Sequence, residues 1–235
     1  MKLIPNLTSC HAISRQLDQL LFPASTITQR SEQQNPQHLW LIIRLGSSVQ
    51  RCYCHPLSLT IALLTISDSR TLQDDASGDQ LQQSLEKAGH QLYERCLCQD
   101  DRYHIRAELS RWIADPYVDV VITNGGTGLT GRDGTPEAIE PLLDKRVEGF
   151  GELFRVISFN TIGTSTLQSR CLAGVANGTF VFVLPGSIDA VTTAWESLIK
   201  AQLDASTKPC NLAQLRGRLK ESAERPVKNN QQQFN

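Results

Sequence analysis

The stretch ITNGGTGLTGRDGTPEA, residues 122–138, concentrates the chemistry of this chain. Five glycines fall between Asn124 and Gly134, with Asp133 just before the last of them. Backbone N–H groups laid bare by glycines cradle one anionic group. A carboxylate beside such a cradle repels a bare phosphate, but it suits a site where a magnesium ion lies between carboxylate and phosphate oxygens. Asp100 supplies a second carboxylate, and magnesium needs no more than one or two alongside phosphate and water. The bland alternative is a tight surface turn with a solvated aspartate, although most such turns are much shorter than this one.

Two familiar loops fit the same letters less well. GTGLTG satisfies the GxGxxG pattern, but a dinucleotide loop turns straight from strand into helix, and here Arg132-Asp133-Gly134-Thr135-Pro136 intervenes. No strand ending in an acidic residue follows about twenty residues on, as that fingerprint requires. A triphosphatase loop needs Lys and Ser/Thr after its last glycine, where Arg132 and Asp133 stand.

The elements that position these residues alternate short apolar runs with amphipathic segments. LTIALLTIS (59–67) reads as a strand buried on both faces. SGDQLQQSLEKAGH carries Leu81, Leu85 and Ala88 at helical spacing and ends at Gly89. QLYERCLC (91–98) reads as the second strand, with Cys96 and Cys98 on one face as small buried residues. In DDRYHIRAELSRWIAD, Ile105, Leu109, Trp112 and Ile113 form a helical stripe that Asp100 or Asp101 can cap. VDVVIT is the third strand, and TPEAIEPLL reads as a helix with Thr135 as N-cap and Pro136 at its first position. EGFGELFRVISF reads as a further helix, and TSTLQSRCLAGVANG as its helical continuation. TFVFVLPG (179–186) is a strand entering a turn; Val191, Ala194, Trp195, Leu198 and Ile199 mark the last helix.

This alternation implies an α/β fold, a three-layer α/β/α sandwich with a mostly parallel central sheet. Ligands of such sheets bind outside the carboxyl ends of the strands. The loops after Ser67, Cys98, Thr123 and Leu184 therefore share one rim, carrying Asp68, Asp100, the glycine loop and Pro185-Gly186-Ser187.

Composition bounds the rest. A net charge of -1 gives no general reason to expect a nucleic-acid or membrane partner. Seven scattered cysteines without a CxxC read as reduced thiols of a cytoplasmic protein; Cys52, Cys54 and His55 are a weak metal candidate. Residues 1–55 read as a poorly ordered or artefactual extension, in which LWLIIRL (39–45) has no obvious partner strand. Met1 is the only methionine, so if this extension is a translation artefact the real start uses another codon, for instance at Val49. Residues 56–211 form the globular domain, and 212–235 a polar tail.

TNGGTGLTGRDGTPEAI, with LLTISDSRTLQDDASG upstream and SRCLAGVANG and VLPGS downstream, resembles the molybdenum cofactor biosynthesis proteins of the MoaB/MogA type. The resemblance spans about residues 56 to 211, and RYHIRAELSRWI and AWESLIKAQLDASTKPCN place it nearer the MoaB branch. It implies a homotrimer or hexamer that binds molybdopterin and transfers AMP to it from ATP with Mg²⁺, with contacts to other proteins of that pathway. It further implies Asp133 and Asp100 as catalytic and magnesium-binding residues. Gly125, Gly126, Thr127 and Gly128 correspond to the substrate loop, and Asp68, Ser77, Ser169, Arg170, Pro185, Gly186 and Ser187 to the remaining substrate motifs. Asn124 departs from the pattern, since many active members carry Thr or a similar small residue there. Membership of the MoaB branch, in which several proteins do not adenylylate, weakens the enzyme expectation, and retention of both Asp100 and Asp133 strengthens it.

Several residues also have purely structural readings. Asp100 and Asp68 suit capping, Arg170 an ion pair, Glu137 a helix first turn, and Trp112 and Trp195 the core. His90 and His104 read as surface or cap residues.

Overall fold

The computed structural model describes residues 39–45, 48–54 and 57–219. The chain divides into two units, residues 1–56 and 57–235. In the first, β1 (Leu39–Leu45) pairs antiparallel with β2 (Ser48–Cys54), Leu45 opposite Ser48, so LWLIIRL does have a partner strand. The Cys52, Cys54 and His55 side chains lie outside the described residues.

The second unit begins with β3 (Thr60–Ile66), α1 (Ala76–Lys87), β4 (Gln91–Cys98), α2 (Arg102–Ala114) and β5 (Val120–Asn124). A short α3 (Thr135–Ile139), β6 (Lys145–Arg146), α4 (Glu148–Ile162), β7 (Leu172–Ala176) and β8 (Thr179–Leu184) follow. The last helix runs through α5 (Ile188–Ala194), a π-turn (Trp195–Ile199) and α6 (Lys200–Leu203).

The sheet order is β4-β3-β5-β8-β7-β6. The first four strands are parallel, and β7 and β6 add an antiparallel edge. The period-2 geometry of each strand sends alternate residues to opposite layers. Ile61, Leu63, Val120 and Ile122 pack with Leu81 and Leu85 of α1, Phe154 of α4 and Trp195. Ala62, Leu64, Ile66 and Val121 pack with Ile105, Leu109 and Trp112 of α2 and Ile139 of α3. The result is the expected three-layer α/β/α sandwich. Among the described residues, no helix is long and apolar enough to cross a membrane.

Four local expectations are corrected. Residues 172–176 are not helical: α4 stops at Gly163, whose φ of +56° leaves the helical region, and Leu172–Ala176 turns back along β8. The link is the two-residue Asn177-Gly178 turn, both residues at positive φ, which is the twist-matched form for a hairpin. The N-cap of α3 is Gly134 rather than Thr135, and Pro141 limits that helix to five residues before a 3₁₀ turn. His90 is buried, accepts the Leu59 N–H through Nδ1 at 3.3 Å and meets the Trp195 ring edge-on. Cys96 and Cys98 do share the α2 face, but only half-buried, because β4 is an edge strand.

Candidate functional site

The loops after β3, β4, β5 and β8 meet at the carboxyl ends of the four parallel strands. The loop after β3 leads to α1 on one face of the sheet, whereas the loop after the adjacent β5 leads to α3 on the other. Such divergence opens a crevice between neighbouring strands. A cleft of about 300 Å³ lies there, lined by Ser67, Arg70, Gly125–Gly128, Asp133 and Gly186.

The glycine loop owes its path to contacts that a side chain would block. A Cβ on Gly125, at φ +102°, would stand 2.2 Å from the Ile66 carbonyl oxygen. One on Gly126, at φ +63°, would stand 2.1 Å from Thr135 Oγ1 and 2.7 Å from Asp100 Oδ2. Gly125 donates its N–H to Leu184, and the Gly126 carbonyl accepts from Thr135, which leaves the Gly126 and Thr127 amides for a ligand. Arg170 braces the loop: Nε donates to the Thr127 carbonyl at 3.0 Å, Nη2 to the Asp133 carbonyl at 3.1 Å, and Nη1 pairs with Glu137 of α3.

Asp133 folds back onto Gly128, and its Oδ2 accepts the Thr130 N–H at 2.8 Å and hydroxyl at 2.5 Å. The Thr130 hydroxyl, helped by backbone N–H groups of Thr130 and Gly128, holds its carboxyl below the usual range. Asp100 goes the other way. Burial pushes its carboxyl up, the charges of Asp133 and Asp68 add to this, and a long bond from the Gly134 N–H opposes it. Asp101, not Asp100, caps α2, accepting the Tyr103 and His104 N–H groups at 2.9 Å each. Asp100 is therefore released from capping and turned towards Gly126. Asp68 Oδ1 accepts the Asp100 N–H at 3.1 Å, and its Oδ2 meets Arg132 at 2.8 Å, tying the loop after β3 to the loops after β4 and β5.

Beneath the cleft lies a polar hub that none of the expected site residues except Ser77 predicted. Asp75 has no solvent exposure; it accepts from the Thr65 hydroxyl at 2.6 Å, the Gly78 N–H at 3.0 Å, the Ser77 hydroxyl at 3.1 Å and Arg95 at 2.9 Å. Burial alone would raise its carboxyl, but Thr65, Gly78 and Arg95 together hold it below the usual range. Asn124, also fully buried, donates to Ser77 Oγ at 2.9 Å and faces this hub instead of the cleft. Local signals for the hub exist: a threonine inside a strand buried on both faces needs a partner, and Asp75-x-x-Gly78 has N-cap spacing at a helix start.

Set beside known proteins, residues 62–205 match the family described as "Probable molybdopterin binding domain". The chain belongs to this family. It is 55% identical over 151 residues to molybdenum cofactor biosynthesis protein B of Escherichia coli K12, covering 64% of this chain and 89% of that protein. A crystal structure of molybdenum cofactor biosynthesis protein B superposes with a TM-score of 0.65 at 39% identity, covering 71% of this chain and 98% of that one. The tungsten cofactor synthesizing protein MoaB of Pyrococcus furiosus superposes with a TM-score of 0.56 at 35% identity, over 61% and 92% of the two chains.

Within this molybdopterin-binding-domain fold, the expected site residues separate into those at the cleft and those behind it. Gly125, Gly126, Thr127, Gly128, Asp133 and Gly186 line the cleft directly. Asp100 and Asp68 stand at its rim. Ser77 is buried in the hub, and Arg170 spends three of its nitrogens on the loop and Glu137. Ser187 caps α5 by accepting the Ala190 N–H at 3.2 Å, and Pro185 precedes it in the same loop. Ser169 lies half-buried at the end of the 3₁₀ turn, beside Arg170. Among the described residues, no group of three His, Cys, Asp or Glu side chains is gathered to hold a metal.

Proposed function

We propose that this protein binds molybdopterin and adenylylates its terminal phosphate with Mg-ATP in molybdenum cofactor biosynthesis. The observation that carries this reading is the placement of two carboxylates against the loop glycines: Asp100 Oδ2 beside Gly126, and Asp133 beside Gly128. Loop amides suited to an anion and two carboxylates from neighbouring loops thus lie side by side. Two carboxylates fit magnesium, which keeps water and phosphate oxygens as its remaining ligands.

In this reaction a phosphate oxygen of molybdopterin attacks the α-phosphorus of ATP. The bond from that phosphorus to its bridging oxygen breaks, and pyrophosphate leaves with the electron pair. A phosphate monoester is mostly deprotonated at pH 7, so no general base is required. What remains for the protein is alignment and charge compensation. The Gly126 and Thr127 amides hold one anionic group, Arg170 keeps those amides in position, and Asp68 fixes Asp100 against the loop. Magnesium, held by Asp100 and Asp133, would neutralise charge on the triphosphate.

A second reading, an oligomeric protein that holds molybdopterin for other enzymes of the pathway, is favoured by the commitment of Asp133 to Thr130. Pyrophosphate release from ATP, measured with and without molybdopterin, separates the two. Transfer requires molybdopterin-dependent release that Asp133→Asn abolishes while pterin binding persists. Binding without release in the wild type leaves the second reading.

Assembly as a trimer or hexamer belongs to the same proposal. Leu153, Val156, Phe159 and Ile162 of α4 and Leu167 beyond it expose apolar surface unusual for a lone subunit. Light scattering reads the assembly directly.

A further inference from the structure

Among the described residues lining the cleft, Arg70 is the one Lys or Arg, and it stands in the upstream LLTISDSRTLQDDASG stretch without being among the expected site residues. Its backbone is fixed first: the Arg70 N–H donates to Ser67 Oγ at 3.1 Å and the Ser69 N–H to the same oxygen at 3.3 Å, closing a tight turn after β3. Its guanidinium is fixed next. Nη1 donates to Ser77 Oγ at 2.9 Å and to the Gly186 carbonyl at 3.3 Å, and stands 3.9 Å from Asp75 Oδ1. Gly186 in turn packs against Gly125, since a Cβ on Gly186 would lie 3.1 Å from the Gly125 Cα. The arginine is therefore held beside the glycine loop by one residue contact.

The way it is held matters. Asp75 already receives Arg95, Thr65, Ser77 and Gly78, so its long contact to Arg70 is secondary. Only Nη1 is engaged; among the described residues Nε and Nη2 have no protein acceptor, and the side chain remains 38% exposed. An arginine anchored by one nitrogen, with the other edge of its fork open to a cleft, is arranged to grip a tetrahedral anion in bidentate fashion. The Gly126 and Thr127 amides line the same cleft. The Ser67 hydroxyl, which accepts two N–H groups, keeps its own proton to donate.

We infer that Arg70 is a phosphate-binding residue of this cleft, gripping a phosphate monoester together with the glycine-loop amides and so setting selectivity for phosphorylated over unphosphorylated ligand. The inference rests on the reading that the cleft takes a phosphorylated pterin, and two ligands carry the required group: the pterin phosphate and the nucleotide. Binding to the full chain would be titrated with molybdopterin, with its dephosphorylated form, and with AMP, for wild type, Arg70→Gln and Arg70→Lys.

Arg70→Gln is expected to weaken one phosphorylated ligand about ten- to hundredfold, the range of a lost charge-assisted pair. The dephosphorylated pterin should bind it as it binds wild type, and Arg70→Lys should recover part of the loss. A loss confined to molybdopterin assigns the pterin phosphate to Arg70; a loss confined to AMP assigns the nucleotide phosphate. Equal weakening with and without the phosphate marks a merely structural arginine and overturns the inference, as does unchanged binding throughout. If wild type binds none of the three, the reading of the cleft falls and Arg70 with it. Failure of pyrophosphate release alone leaves the binding result standing.

Discussion

The Asp75 carboxylate and the Arg95 guanidinium meet at 2.9 Å beneath the cleft, where Asp75 has no exposure to solvent and Arg95 also bonds the Asp75 carbonyl. This pair joins β4 to the start of α1, and through Ser77 it reaches Asn124 at the end of β5. Removing one partner of a buried pair leaves the other charged and uncompensated, at a cost of about 3–5 kcal/mol. Asp75→Ala should therefore lower the urea midpoint by an amount equivalent to that range. The carboxyl is held below the ordinary carboxylate range, so its contribution is complete above the unfolded-state value and fades as pH falls through the folded one. The wild type should lose this stability only below about pH 4, and Asp75→Asn should lack that part of the acid transition.

Gly125 and Gly126 make a second prediction, because each combines a positive φ with a blocked Cβ direction. Gly126→Ala would drive its methyl into Thr135 Oγ1 and Asp100 Oδ2, and Gly125→Ala into the Ile66 carbonyl. Both variants should lose more than tenfold in pterin affinity. The strain of a non-glycine residue held at these angles adds about 1–3 kcal/mol of destabilisation. Thermal melts beside binding titrations distinguish the two effects. A Gly131→Ala control, where no atom lies within 4 Å of the new methyl, should leave stability nearly unchanged.

His90 predicts pH dependence of the opposite kind to a paired histidine. Burial lowers its value below 6.5, with Asp204 opposing, and Nδ1 must stay unprotonated to accept the Leu59 N–H. Above pH 6.5 both folded and unfolded states carry it neutral, and its contribution is complete. As pH falls below 6.5 the unfolded state takes up the proton first, and stability drops by at most about 1.4 kcal/mol per unit. Urea midpoints measured from pH 8 to pH 5 should show this slope in the wild type, and His90→Gln should flatten it.

Much of this architecture was legible in the apolar periodicity. β3, β5 and β8 are runs buried on both faces, and the stripe Ile105, Leu109 and Trp112 is the buried face of α2. The rim followed from strand ends alone. β7 escaped because LAGVA carries too few branched residues to declare a strand, although Asn177-Gly178 between two apolar runs was a hairpin signal in plain view. The hub escaped for another reason. Thr65, Asp75 and Arg95 lie on three different elements, and only the parallel pairing of β3 with β4 brings them together. Asn124, a departure from the family pattern by sequence, proves to be a buried tie to Ser77 and takes no donor away from the cleft.

Arg170 yields the last prediction. Its three nitrogens reach the Thr127 carbonyl, the Asp133 carbonyl and Glu137, so a single planar group spans both ends of the glycine loop and the first turn of α3. A lysine carries the same charge but offers one nitrogen with no fork, and cannot span these acceptors at once. Arg170→Lys should therefore behave almost like Arg170→Met. If Arg170 acted by charge on a ligand phosphate, lysine would retain much of the affinity. If it acts as a brace, both variants should raise amide hydrogen exchange across residues 125–134 even without ligand. Their pterin affinity should fall together by tenfold or more, while global stability changes by no more than about 1–2 kcal/mol, as expected for partly exposed hydrogen bonds. The exchange measured without ligand decides the matter, since a residue whose only role is to touch the ligand leaves the empty loop as it was.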